Sequence, residues 1–98
     1  MNIGFREDIN TEFKSDRSRL SDNDLIDAVV AFANTNGGDL YIGVEDDGEI
    51  SGLHKSHQDA TQLAAFIANK TVPPVSVRIE KADDNKYVKI SVPQSRSI

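Results

Sequence analysis

The sequence predicts an α+β domain of order β-α-β-β-α-β-β, with two helices packed on a small sheet that is mainly antiparallel or mixed. Three observations predict it. Apolar residues recur at spacings of three and four in two stretches and alternate with polar residues in three others. Between these stretches stand clusters of Gly, Pro, Asn, Asp and Ser, the residues of turns and caps. Both helices then have one apolar stripe to bury, and a single sheet face covered by both is the simplest arrangement that buries it.

Residues 1–6 read as a chain end that Ile3 and Phe5 can tack onto the body. In the next stretch Ile9, Thr11 and Phe13 alternate with Asn10, Glu12 and Lys14, the period of a half-buried strand, so Glu12 and Lys14 share a face. A polar connection follows. Ser21 is a helix N-cap with Asp24 at the third helical position, Leu20 can staple onto Leu25, and Asp22 and Asp24 suit the positive end of the helix dipole. The helix should span 22–34, and Leu25, Ile26, Val29, Val30, Phe32 and Ala33 form one broad apolar face that has to find a core.

Asn34-Thr35-Asn36-Gly37-Gly38 stops that helix, and the apolar run 40–44 is the next strand. Asp47-Gly48 reads as a two-residue hairpin turn with 49–52 as the return strand. Ser56 is a second candidate N-cap for a helix over 57–69, whose stripe is Ala60, Leu63, Ala64 and Ile67, and Pro73-Pro74 ends it. Val75, Val77 and Ile79 alternate again, as do Val88, Ile90 and Val92 beyond a turn at 82–85.

With 98 residues the chain is one domain, and the absence of cysteine excludes disulfides and thiolate metal sites. No apolar run approaches the roughly 20 residues of a membrane span, and residues 1–6 lack the pattern of a signal peptide, which together place the chain in the cytoplasm, away from any membrane. The net charge is −5. Sequence-independent affinity for nucleic acid comes from Lys and Arg displacing counterions, so an acidic chain binds through a local basic patch or weakly. Lys14, Arg17 and Arg19 form the one local basic cluster, whose favoured reading is the charged surface of a solvated loop.

The combination TEFK, AFANTNGG, LYIGVEDDG and ISG, met in that order, resembles the Schlafen-type AlbA-like domain family, whose bacterial members are described as DNA-binding domains of transcriptional regulators. The resemblance runs from Glu7 to the C-terminus. It implies a single Schlafen-type domain over 1–98, cut from a longer chain, because family members continue past this point with a proline and a further strand. It also implies a site. Glu7, Glu12 and Asp46 match the three acidic positions of the Schlafen ribonucleases, and Lys14 completes an E-x-K pattern. In those enzymes the acids hold Mg²⁺ or Mn²⁺, hard ions that take carboxylate oxygen, and a lysine on the same strand face can meet the phosphate. That nuclease core has two related lobes and a zinc site; this chain supplies one lobe and no cysteine, and a homodimer would supply the second.

Plainer readings stand beside these. Glu12 and Lys14 make an ordinary edge-strand ion pair, and Asp46-Asp47-Gly48 is explained by its turn. His54 and His57 straddle Ser56 and do not share a helical face, so they are no metal pair. The glycine turn after the first helix lies at the negative end of the dipole and is a poor phosphate cradle. Three functions therefore compete: a DNA-binding module of a regulator using Lys14, Arg17 and Arg19, with no cofactor; a Mg²⁺- or Mn²⁺-dependent endoribonuclease using Glu7, Glu12, Asp46 and Lys14; and a dimerisation domain without nucleic acid.

Overall fold

The computed structural model describes residues 1–82 and 84–95. Asp83, inside the expected 82–85 turn, and residues 96–98 of the terminal stretch lie outside the described residues. Four strands, β1 (Thr11–Lys14), β2 (Gly38–Ile42), β3 (Arg78–Lys81) and β4 (Val88–Val92), form one sheet in the order β1-β2-β4-β3. β1 and β2 are parallel; the other two pairings are antiparallel. Helices α1 (Asp22–Ala33) and α2 (Ala60–Lys70) touch each other and pack on the sheet, as the pattern predicts. No helix among the described residues is long and apolar enough to cross a membrane.

Parallel strands need a crossover, and α1 supplies it between β1 and β2. Ser21 caps α1 by accepting the Asp24 N–H, and Leu20 joins Leu25, Val29, Phe32 and Ala33 in the main core. From the sheet, Leu40, Ile42, Val88, Ile90 and Val92 meet them. The helix stops at Asn34, and the chain then passes so close to α1 that a side chain on Gly38 would overlap the Phe32 ring and stand 2.9 Å from the Asn10 carbonyl oxygen. Gly38 is therefore a spacing requirement between helix and strand.

The other sheet face carries a smaller cluster of Phe13, Tyr41 and Val44, covered in part by Ile3, Ile50 and Tyr87. Phe5 stacks edge-on against Tyr41 at 5.2 Å. The N-terminal residues are tied down there, with Ile3 N–H donating to the Gly48 carbonyl and Ile50 N–H to the Met1 carbonyl.

Element boundaries differ from the sequence pattern in several places: β2 runs Gly38–Ile42 against the expected 40–44, α1 ends at Ala33, and four further departures have a local reason. β1 begins at Thr11, and Ile9 is 85% exposed, because Asp8 accepts the Asn10 N–H in a tight turn that breaks the alternation. The hairpin corner is Glu45 to Gly48, with Gly48 N–H donating to the Glu45 carbonyl, and the return segment makes only the isolated bridges Val44 to Ile50 and Asn2 to Glu49. α2 starts three residues late. His54 takes the Ser56 N–H through its ring, His57 turns inward within a short 3-10 turn (Lys55–His57), and Asp59 becomes the cap by accepting the Gln62 N–H. β3 begins at Arg78, Val75 being buried ahead of it.

Candidate functional site

Adjacency of β1 and β2 decides where the acidic residues go. Asp39 N–H donates to the Asn10 carbonyl and Gly43 N–H to the Lys14 carbonyl, so even-numbered residues of β1 bond to β2. The N–H groups of Thr11 and Phe13 therefore face away from the sheet. Thr11 donates to the Asp8 carbonyl, and Phe13 donates to the Glu7 carboxylate at 2.6 Å. Register places Glu12 beside Leu40 and Lys14 beside Ile42, on the helix side of the edge strand. There Glu7, Glu12, Lys14 and Asp46 all line one open cleft of about 340 Å³, with Phe32 of α1 as a wall.

Within the cleft the groups are spread and occupied. Glu12 is 3.4 Å from the Lys14 ammonium, and Glu7 is held by the backbone of β1. Among the described residues no group of three or more His, Asp or Glu side chains is arranged to hold a metal ion. The arrangement thus does not fit a Mg²⁺ or Mn²⁺ ligand set, which needs several oxygens converging at about 2.0–2.1 Å in a near-octahedral shell.

The basic cluster is also paired. Lys14 faces Glu12; Arg17 reaches Glu49 at 2.8 Å and Glu45 at 3.7 Å; Arg19 reaches Asp22 at 2.8 Å. Hydrogen bonds from Ser15 and Ser51, with Arg17 nearby, outweigh partial burial and hold the Glu45 carboxyl below its ordinary pKa. Exposed ion pairs of this kind are worth about 0–1 kcal/mol, so a phosphate exchanges with a carboxylate partner at small cost. Sequence reasoning missed Lys55. It lines an open groove of about 530 Å³ with Arg17, Ser51 and His54, at the end where β1 and β2 both finish. Ligands of sheets with parallel strands favour that carboxyl end.

A buried pair underpins this end. The Asp16 side chain is fully buried and accepts three hydrogen bonds: Leu20 N–H at 2.7 Å, His54 N–H at 2.7 Å and His57 Nδ1 at 2.8 Å. Burial pushes its pKa up, but the bonds from His57, Leu20 and His54 outweigh burial and hold it below the ordinary value. An ionised carboxylate only accepts, which assigns the hydrogen to His57 Nδ1. Asp16 thereby fastens the segment after β1 to the 3-10 turn, setting Arg17 and Arg19 beside His54 and Lys55. No local pattern announces a pair separated by 41 positions. A polar residue in a loop is otherwise read as solvated.

Residues 7–98 match the family model described as Schlafen, AlbA_2, which spans nearly the whole described structure and includes every residue of the cleft and groove. This membership is consistent with a nucleic-acid-related domain. The matched range takes in the βαβ unit, the glycine turn against Phe32 and the acidic hairpin, and the chain belongs to the Schlafen AlbA_2 family.

Proposed function

We propose that the chain is the DNA-binding domain of a transcriptional regulator, gripping phosphates with Lys14, Arg17, Arg19 and Lys55. One observation carries the reading: Arg17 from the segment after β1 and Lys55 from the 3-10 turn line one open groove at the carboxyl end of the parallel pair, with Lys14 and Arg19 outside its lining on the same stretch of chain as Arg17. The acidic net charge of −5 keeps this affinity low and strongly dependent on salt. Four released counterions give a log–log slope of about −3.6 on duplex DNA, or about a hundredfold loss between 50 and 200 mM salt. Fluorescence anisotropy with a labelled duplex tests it. A flat salt dependence overturns the reading, and Lys55→Ala should make the slope shallower by about 0.9.

A second reading, a Schlafen-type endoribonuclease, is favoured by the gathering of Glu7, Glu12, Lys14 and Asp46 along one cleft. The spread of these carboxylates weighs against it. End-labelled tRNA incubated with the protein and Mn²⁺ or EDTA separates the two. Cleavage that requires the ion and disappears in Glu12→Ala supports the nuclease; retarded, intact nucleic acid supports the binding domain.

A further inference from the structure

The two edges of the sheet are finished differently. At β1 the outward N–H groups of Thr11 and Phe13 are bonded within the chain. At β3 the corresponding row is open. Ala82 N–H donates to the Tyr87 carbonyl, so the bonds between β3 and β4 alternate from there through Glu80 and Arg78, opposite Lys89 and Ser91. The backbone N–H and C=O groups of Ile79 and Lys81 therefore point away from the sheet, and none of them has a partner among the described residues.

Arg78, Glu80 and Lys81 are exposed along this edge, and Ile79 is half-buried against the main core. Neither Arg78 nor Glu80 has an ion-pair partner among the described residues; Lys89, opposite Glu80 in register, faces Asp39 at 3.9 Å. A lone charge on an edge strand turns a second strand away. These two charges answer each other. When β3 is laid antiparallel against a copy of itself with Ile79 opposite Ile79, the outward groups of the two isoleucines exchange hydrogen bonds at the centre. Arg78 of each chain then stands opposite Glu80 of the other, at the non-hydrogen-bonded positions where side chains come closest. Lys81 stands opposite Val77, which is half-buried on the same face as Ile79. A slip of one residue on each chain sets Glu80 against Glu80 or Arg78 against Arg78, so opposite charge selects a single register.

We propose that β3 is the docking edge for a second copy of this chain, joined antiparallel about a two-fold axis at Ile79 into one continuous sheet built from two four-stranded halves. Such an axis stands normal to the sheet and keeps both helix layers on one side. α2 is the helix packed on β3, and its row toward that edge, Ala60 near Lys81 and then Ala64 and Ala68 at successive turns, carries no side chain large enough to bar the approach. Four residues of strand make a small interface, so the pair is reversible and concentration-dependent. This edge lies apart from the acidic cleft and the basic groove, and its pairing is independent of nucleic acid.

Sedimentation velocity on the full chain from about 10 μM to about 1 mM, the range of weak reversible pairs, should show a monomer–dimer equilibrium. Amide exchange followed by NMR over the same range should show the Ile79 and Lys81 N–H groups gaining protection as the dimer fills. Arg78→Glu and Glu80→Arg, both at exposed positions, should each weaken the dimer about tenfold or more, because each sets like charges opposite one another on both sides of the axis. Mixed in equal amounts, these two variants regain opposite charges on both sides and should form a heterodimer as tight as the native pair. A monomer throughout the range overturns the proposal, as does a dimer in which Ile79 and Lys81 exchange as fast as in the monomer. Single variants that dimerise like the native chain, or a mixture that stays monomeric, overturn the pairing.

Discussion

The acidic cleft beside β1 and the Asp16–His57 pair both set carboxylates against basic groups, and they differ in what holds those carboxylates. Glu12 faces Lys14 with 40% of its side chain exposed, so water competes for both ends of the pair. The Asp16 side chain is closed off from solvent and has three protein donors. A carboxylate that can be replaced by solvent contributes little to folding and is free to meet a ligand, whereas one that cannot is bound into the architecture. Glu12 is therefore open to exchange with a ligand, and the pair fixes the loops around the groove.

Substitution should break this contrast in a graded way. Asp16→Ala strands three donors in the interior and should cost about 3 kcal/mol or more in chemical denaturation, enough to loosen the segment bearing Arg17 and Arg19. A loss below about 1 kcal/mol would mean that water or a shifted backbone replaces the carboxylate. Acid sharpens the same point. Asp16 has a lowered pKa in the folded chain, so its stabilising contribution is complete above its ordinary value of 3.8 and is lost as pH falls below that value. The melting temperature should drop in this window for the native chain and much less for Asp16→Asn.

Glu7→Ala should fall between the two regions, costing about 1 kcal/mol for the lost bond to Phe13 N–H, while Glu7→Gln, which keeps an accepting oxygen, stays near the native value. Glu12→Ala should be the mildest, within about 0.5 kcal/mol, and can be used in activity assays without concern for folding. If Glu12→Ala destabilised as much as Asp16→Ala, the distinction between available and architectural carboxylates would collapse.

Legibility in the sequence follows the range of the interactions. α1 was readable almost to the residue because its cap, its dipole-matched acids and its stripe lie within one stretch of chain. β4 was readable because Val88, Ile90 and Val92 alternate without interruption. α2 departs from the pattern at its start because the hydroxyl of Ser56, a good cap by type, is taken by Arg19 and the His54 ring, and the His57 ring is drawn to a carboxylate from another element. The cleft was half legible: family resemblance named its four residues, but their shared location depends on β1 pairing with β2, which no spacing encodes. Asp16, His57 and Lys55 stayed hidden because their significance comes from three-dimensional neighbours.

The bond from Phe13 to Glu7 reaches beyond stability. β1 is an outer strand, and its outward amides are the groups to which a strand from a neighbouring copy would attach. Asp8 takes one through its carbonyl and Glu7 takes the next with a carboxylate, so an approaching chain finds the edge occupied and negatively charged. A residue that resembles part of a reactive centre thus also guards an edge: Glu7→Ala bares the Phe13 amide and removes the charge, and light scattering at high protein concentration should show more self-association than in the native chain.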